Sequence, residues 1–373
     1  MMNTEMAPEI IGDNITSEIN MVKAMHMDKL AEFHRKLYRE PVLRLLFLEL
    51  TLRCNEHCFH CGSSCSSDSI DGMPKEKYLE VLKDVRDNIP GKLPQICLTG
   101  GEPLLRKDLF ELMAEGKEMG FRYSMTSNGT LITREKARLL RENGLRTIAV
   151  SIDGLPDTHD RIRGLNGAFR MAMQGIENLL SEGGLKTVQV TTVVNHESIH
   201  ELPALYRILE EKDIDSWRVI GPEPIGRALQ SPELMLTPED TRYMLDFIRE
   251  KRMEGMPVTY GCSHFLGLGY EREVRDWYFL CNAGVYTASV LADGAVGGCT
   301  DIPRSEKTIQ GNVYESPFSE LWKNRFSLFR TPLSEKNETC RNCRYTKWCC
   351  GGAFHSWDFE RDEQRVCYKG IFF

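Results

Sequence analysis

The residues best placed to do chemistry here are cysteines. Cys54-Asn-Glu-His-Cys58-Phe-His-Cys61 is a C-x3-C-x2-C run. Three thiolates on one tight loop can hold three irons of a cubane cluster and leave the fourth iron without a protein ligand, a vacancy where a substrate or cofactor can bind metal. Zinc is the other metal that such thiolates take. A structural zinc site wants four ligands, so Cys65 or His60 would have to be recruited, at a spacing that suits zinc poorly.

The chain has 373 residues and 13 Cys, five of them from Cys54 to Cys97 and eight from Cys262 to Cys367. An evenly stapled secreted domain would not leave its middle bare. The segment Met1-Met2-Asn3-Thr4-Glu5 also lacks the basic region and apolar core of a secretory signal. The compartment expected is therefore the reducing cytoplasm, where clustered thiols are metal ligands or redox groups more often than disulfides. No apolar run approaches membrane-spanning length, so no membrane partner is expected. Lys and Arg total 47 against 54 Asp and Glu, and the net charge of -7 speaks against a general nucleic-acid partner.

The elements that must position these thiols are legible as alternating patterns. Short apolar or β-branched runs at Phe47 to Thr51, Gln95 to Thr99, Tyr123 to Thr126, Thr147 to Ile152, Val188 to Val194 and Trp217 to Ile220 read as strands. Amphipathic stretches lie between them. Tyr78, Leu82, Val85 and Ile89 share one helical face after Pro74, as do Phe169, Met173, Ile176 and Leu180, and Gly120, Gly144 and Gly183 fall where helix C-caps belong. Six strand-helix repeats predict an α/β fold with a parallel sheet, either a partial barrel or an open doubly wound sheet. Both put chemistry at the carboxyl ends of the strands. The division expected is 1–46 as a helical extension, with Met21 to Tyr38 its helix, 47–235 as the core, 236–280 as a bridge and 281–373 as a Cys-rich domain.

A C-x3-C-x2-C run after the first strand of such a unit resembles the radical S-adenosylmethionine (radical SAM) superfamily. The resemblance implies a partial parallel (β/α)6 barrel and a [4Fe-4S] cluster on Cys54, Cys58 and Cys61 that binds S-adenosylmethionine. Gly100-Gly101-Glu102-Pro103, after the second strand, is similar to the family motif that receives the methionine amino group. Ser127-Asn128-Gly129 and Ser151-Ile152-Asp153-Gly154, after the third and fourth, resemble segments that approach the ribose and methionine, and both also read as turns. In His159-Asp160-Arg161-Ile162-Arg163-Gly164, Arg163 is the choice to pair with the methionine carboxylate, with Arg161 two residues away. Val193 and Asn195 would line the adenine side.

The later cysteines resemble the SPASM extension of the same superfamily. Cys281, then twelve residues, Gly294, four residues and Cys299 match its opening, and Cys340-x2-Cys343-x5-Cys349 with the distant Cys367 match its close. By this correspondence Cys340, Cys343, Cys349 and Cys367 hold an outer auxiliary [4Fe-4S] cluster. The family pattern would place one more cysteine at position 353, where this chain has Ala353. The inner auxiliary cluster, [4Fe-4S] or [2Fe-2S], is therefore assigned Cys262, Cys281 and Cys299, with its fourth position either Cys350 or open. Cys97 reads as a small buried residue and Cys65 as a buried or reactive thiol.

What the resemblance implies is an oxidoreductase that reductively cleaves S-adenosylmethionine to a 5′-deoxyadenosyl radical and abstracts hydrogen from a substrate, fed by a flavodoxin- or ferredoxin-type electron donor. Asp301, two residues after Cys299, is a candidate base. The first expectation for the substrate is a ribosomally made peptide or protein, which the enzyme would crosslink or oxidise, although 46 residues before the barrel leave little room for an added peptide-recognition domain. The alternative is oxidation of a small metabolite or maturation of a cofactor. An iron-sulfur electron carrier is the reading from another class, and the strand-end motifs of a nucleoside pocket speak against it.

Overall fold

The computed structural model describes residues 8–261 and 264–373, with side chains from residue 20 onward. Its main sheet contains all six expected strands: β1 Leu45–Glu49, β2 Gln95–Thr99, β3 Tyr123–Ser127, β4 Leu145–Ser151, β5 Thr187–Val193 and β6 Ser216–Ile220. Each pairs in parallel with the next. Three short strands were not expected: β7 Val258–Tyr260, parallel to β6, β8 Thr287–Val290, parallel to β1, and β9 Val296–Gly297, antiparallel to β8. The order β7-β6-β5-β4-β3-β2-β1-β8-β9 leaves two free edges, so the barrel is open. Two to four residues carry too little periodicity to announce a strand, which is why these were missed.

Helices α1 Pro8–Arg39, α2 Lys75–Asn88, α3 Leu109–Glu118, α4 Arg134–Glu142, α5 Pro156–Arg163, α6 Ala168–Glu182, α7 Leu202–Glu210 and α8 Pro238–Met253 account for the amphipathic stretches. Helix α2 buries Tyr78, Val81, Leu82 and Val85 against the sheet. Gly183 is the C-cap of α6, with φ 65°, in the left-handed region that an L side chain resists. Helix α8 starts on a reciprocal cap: Thr237 accepts from the Asp240 N–H, and the Asp240 carboxylate accepts from the Thr237 N–H. Thr237→Ala should cost about 1 kcal/mol, seen as a lower urea midpoint at unchanged m.

Helix α1 is longer than Met21 to Tyr38 and clamps the C-terminal region. Asp28 accepts from Trp348 Nε1 at 2.8 Å and pairs with Lys347 at 2.7 Å, and Lys23 pairs with Glu273 at 2.6 Å. From Leu333 to Phe373 no helix or strand exceeds four residues. Among the described residues, no helix is long and apolar enough to cross a membrane.

Candidate active site at the strand ends

The loop after β1 carries Cys54, Cys58 and Cys61 into one cavity with about 560 Å³ of empty space, walled by Gly100 and Gly101 after β2, Ser127 and Asn128 at β3, Ser151 ending β4, and Arg163 of α5. Neighbouring elements pin the loop. The N–H of His57 donates to the Arg163 carbonyl at 2.9 Å, and Arg227, beyond β6, donates to the carbonyls of Cys58 and Cys65 at 2.8 and 2.7 Å. No motif announced Arg227. Burial pushes the Cys54 thiol up to about 11 and Cys58 up to about 12. Hydrogen bonding from Cys65 draws Cys61 down to about 6, and the Cys65 N–H also reaches its sulfur at 3.4 Å. Metal binding here must displace the protons of at least the two buried thiols.

The glycines answer to the protein itself. The N–H groups of Gly101 and Glu102 donate to the carbonyls of Thr51 and Arg53 at 2.8 and 2.9 Å, and a Cβ at Gly100 or Gly101 would run into those same carbonyl oxygens. Glu102 is fully buried. Its carboxylate accepts from the Leu104 N–H (3.1 Å), the Asn128 N–H (2.8 Å) and the Ser127 hydroxyl (3.0 Å to each oxygen). Burial raises its pKa against these donors. The geometry therefore makes Glu102 a brace joining the β2 and β3 ends, while the backbone at Gly100 and Gly101 faces the cavity. Glu102→Gln must turn an amide NH2 toward a backbone N–H. It should cost about 1–3 kcal/mol and weaken S-adenosylmethionine binding, read by urea unfolding and by equilibrium binding.

Arg163 lines the cavity, but its guanidinium is engaged. It meets Asp153 Oδ2 through Nε and Nη2 at 2.7 and 2.6 Å, Glu56 through Nη1 at 3.3 Å and Cys58 Sγ at 3.6 Å. Arg161, by contrast, is exposed and pairs with Glu197. Asp153 is fully buried and accepts from the Val193 N–H at 2.9 Å, so it lies behind the cavity wall. Asn195 accepts from the Glu197 and Ser198 N–H groups at 2.8 and 3.0 Å, as the head of a turn. Neither Val193 nor Asn195 is among the residues lining the cavity.

A second cavity is lined by Cys340, Cys343, Cys349 and Cys367 together. Cys262 lies outside the described residues. Cys281 packs against a small apolar cluster of Met27, Phe265, Phe279 and Ala353, so position 353 stands in that neighbourhood with a methyl group in place of a thiol. Cys350 has φ 54° and turns its sulfur toward α1, 3.9 Å from His34 Nδ1. Cys299 lies 3.9 Å from Asp301 Oδ2. Cys97 is buried on β2 beside Ser124 and Thr126.

The donor sets fit iron-sulfur clusters. All twelve cysteines among the described residues are unbridged thiols, and soft thiolates select such clusters. Beside the first triplet, Glu56 Oε1 and His60 Nδ1 are buried with no hydrogen-bond partner among the described residues, so that cavity offers polar atoms to a bound group.

Residues 48–209 match the Radical SAM superfamily, and residues 281–344 match SPASM, an iron-sulfur cluster-binding domain. The chain is 31% identical to the AdoMet-dependent heme synthase of Methanosarcina barkeri over 83% of this chain and 90% of that protein. It is 29% identical to the mycofactocin maturase MftC of Mycolicibacterium smegmatis over 82% and 76% of the two chains. The solved structure of anSMEcpe with bound AdoMet and the Cp18Cys peptide shares the fold, with a TM-score of 0.68 at 24% identity over 89% and 96% of the chains. This chain belongs to the radical SAM superfamily and carries its SPASM iron-sulfur extension.

Proposed function

We propose that this enzyme oxidises a small carboxylate-bearing metabolite of the tetrapyrrole class, as a step of cofactor maturation. The observation that carries this reading is the likeness to an AdoMet-dependent heme synthase along 90% of that protein's length. It favours the small-metabolite alternative over the peptide substrate placed first from the sequence. The likeness to MftC supports the peptide as a second reading.

S-adenosylmethionine bound at the cluster supplies a hydrogen-abstracting organic radical. We assign Cys54, Cys58 and Cys61 to that cluster, and Cys340, Cys343, Cys349 and Cys367 to the outer auxiliary one. Cys262, Cys281 and Cys299 are assigned to the inner cluster. Arg227 and Arg163 hold the first triplet's loop rigid, and Glu102 fixes the two strand ends beside it. Asp301 is exposed with a carboxylate oxygen 3.9 Å from the Cys299 sulfur, which supports it as a proton acceptor beside the inner cluster. A flavodoxin- or ferredoxin-type protein is the electron donor this chemistry calls for.

Anaerobic holoenzyme given S-adenosylmethionine, a reductant and iron coproporphyrin, a metallated tetrapyrrole with carboxylate arms, should form 5′-deoxyadenosine and a porphyrin of altered mass. If the porphyrin is untouched while a peptide encoded beside the gene changes mass, the second reading replaces the first. Absence of 5′-deoxyadenosine from fully loaded protein would leave an electron carrier.

A further inference from the structure

Strand β6 alternates sharply. Trp217 and Val219 are fully buried, and the Trp217 ring packs 6.0 Å from Phe247 of α8, which marks that face as the outside of the barrel. Arg218 therefore points inward. Its Nη2 donates to Thr191 Oγ1 on β5 at 3.2 Å, and the same hydroxyl accepts from Gln189 at 3.0 Å. The charge of Arg218 reaches the Cys97 thiol on β2, four strands along the sheet, so the two side chains face one curved interior. Thr191 is the register partner of both Arg218 and Ser151. Ser151 lines the cysteine cavity. The guanidinium thus stands on the rung of the sheet that borders the candidate cofactor site.

The buried arginines among the described residues have their acceptors. Arg163 has Asp153 and Glu56, and Arg275 has Glu271 and the carbonyls of Gly261 and His264. Arg218 differs. Its Nε is buried with no hydrogen-bond partner among the described residues, and Thr191 and Gln189 beside it are neutral. Arg218 as a whole is half-buried, so a cation partly withdrawn from water stands without a carboxylate beside it, and the planar fork of a guanidinium matches the two oxygens of a carboxylate.

We propose that Arg218 binds a carboxylate of the substrate inside the barrel, by paired charge-assisted hydrogen bonds beside the cofactor cavity. The proposal rests on the reading above of a carboxylate-bearing metabolite. It makes Arg218 a specificity-determining residue. Anchoring the anion on the rung shared with Ser151 presents a carbon a few bonds away to the cofactor site, and an uncharged analogue would lose that placement.

The test uses anaerobic holoenzyme and mass-spectrometric mapping of phenylglyoxal labelling at Arg218. Glutarate is expected to slow labelling at least threefold and the uncharged glutaramide to leave it unchanged. Equal labelling with and without glutarate overturns the proposal. So does protection by cluster loading alone with no further effect of glutarate, which would make Arg218 a counter-charge to a cluster. In a second arm, Arg218→Gln should weaken binding of iron coproporphyrin about tenfold, and Arg218→Lys should weaken it less. Unchanged binding by a folded Arg218→Gln overturns the proposal and leaves the tetrapyrrole reading standing. If the wild-type holoenzyme does not bind the porphyrin, the tetrapyrrole reading falls, and the glutarate labelling, which needs no variant, still decides the carboxylate site.

Discussion

Arg163→Ala is expected to lower stability by about 3–5 kcal/mol, the cost of leaving buried carboxylates without their cation. The Arg163 and Asp153 side chains are 9% and 0% exposed, and Glu56 is 1% exposed, so little water can take over the charge. Burial alone would push Asp153 up, and the charges of Arg163, then His60 and His159, overrule it and hold its carboxyl below the ordinary value. In the wild type this depressed pKa contributes stability that is present above the unfolded-state value and is lost as pH falls through the folded one. Without Arg163 the folded pKa of Asp153 rises above the unfolded one, and its contribution reverses sign: stability should then increase as pH falls from neutrality toward 4. Burial already raises the Glu56 carboxyl to about 7 in the wild type, which by itself makes stability rise as pH falls, so the quantity to read is the difference in slope between the two proteins in urea titrations across that range. Arg163→Lys separates this role from contact with the methionine carboxylate. If Arg163 acts mainly as a ligand contact, the lysine variant will keep its urea midpoint and lose only affinity for S-adenosylmethionine. The geometry predicts loss of stability as well, because one ammonium cannot span Asp153 and Glu56 as the fork does.

The α/β core was legible because both its periods are strong. Six strands with helices between them left a repeat of apolar runs and stripes, and the structure shifts their ends by about two residues at most, as at β1, which begins at Leu45 and turns away after Glu49. The cysteine triplet and the outer quartet were legible because spacing on a loop survives folding. Three of the four outer cysteines lie within ten residues, Cys340 to Cys349, and the structure needed only to bring Cys367 back to them. Roles that depend on what a side chain meets across the fold were not legible. Glu102 and Arg163 sit in the expected motifs, yet each carries its charge to another part of the protein: Glu102 to Ser127 and Asn128, Arg163 to Asp153 and Glu56. Arg218 looked like an ordinary strand residue until β5 and β2 were seen to curve around it.

Removing single cysteines from the two sets should separate chemistry from architecture. Cys54→Ala is expected to cost about four irons per chain and all formation of 5′-deoxyadenosine, with the fold retained. That loop is also held by backbone hydrogen bonds from Cys54 to Ser66 and from His57 to Arg163, and by Arg227, none of which needs metal. Cys340→Ala should likewise cost about four irons, but its main consequence is local unfolding. The segment from Leu333 to Phe373 has no helix or strand longer than four residues, so the backbone ladders that stabilise the barrel are nearly absent. Apart from metal, the segment is held by the burial of Leu333, Phe354, Trp357 and Phe359, the Asp28 contacts to Lys347 and Trp348, and a few scattered hydrogen bonds such as Arg242 to the Ile371 carbonyl and Lys307 to the Phe359 carbonyl. Limited proteolysis should therefore cut Cys340→Ala between 336 and 373 at least tenfold faster than the wild type, and chelator-treated wild type should behave the same way, while Cys54→Ala resists. Equal protease resistance of Cys340→Ala would mean that the four thiols lining that cavity do not hold the segment through a cluster.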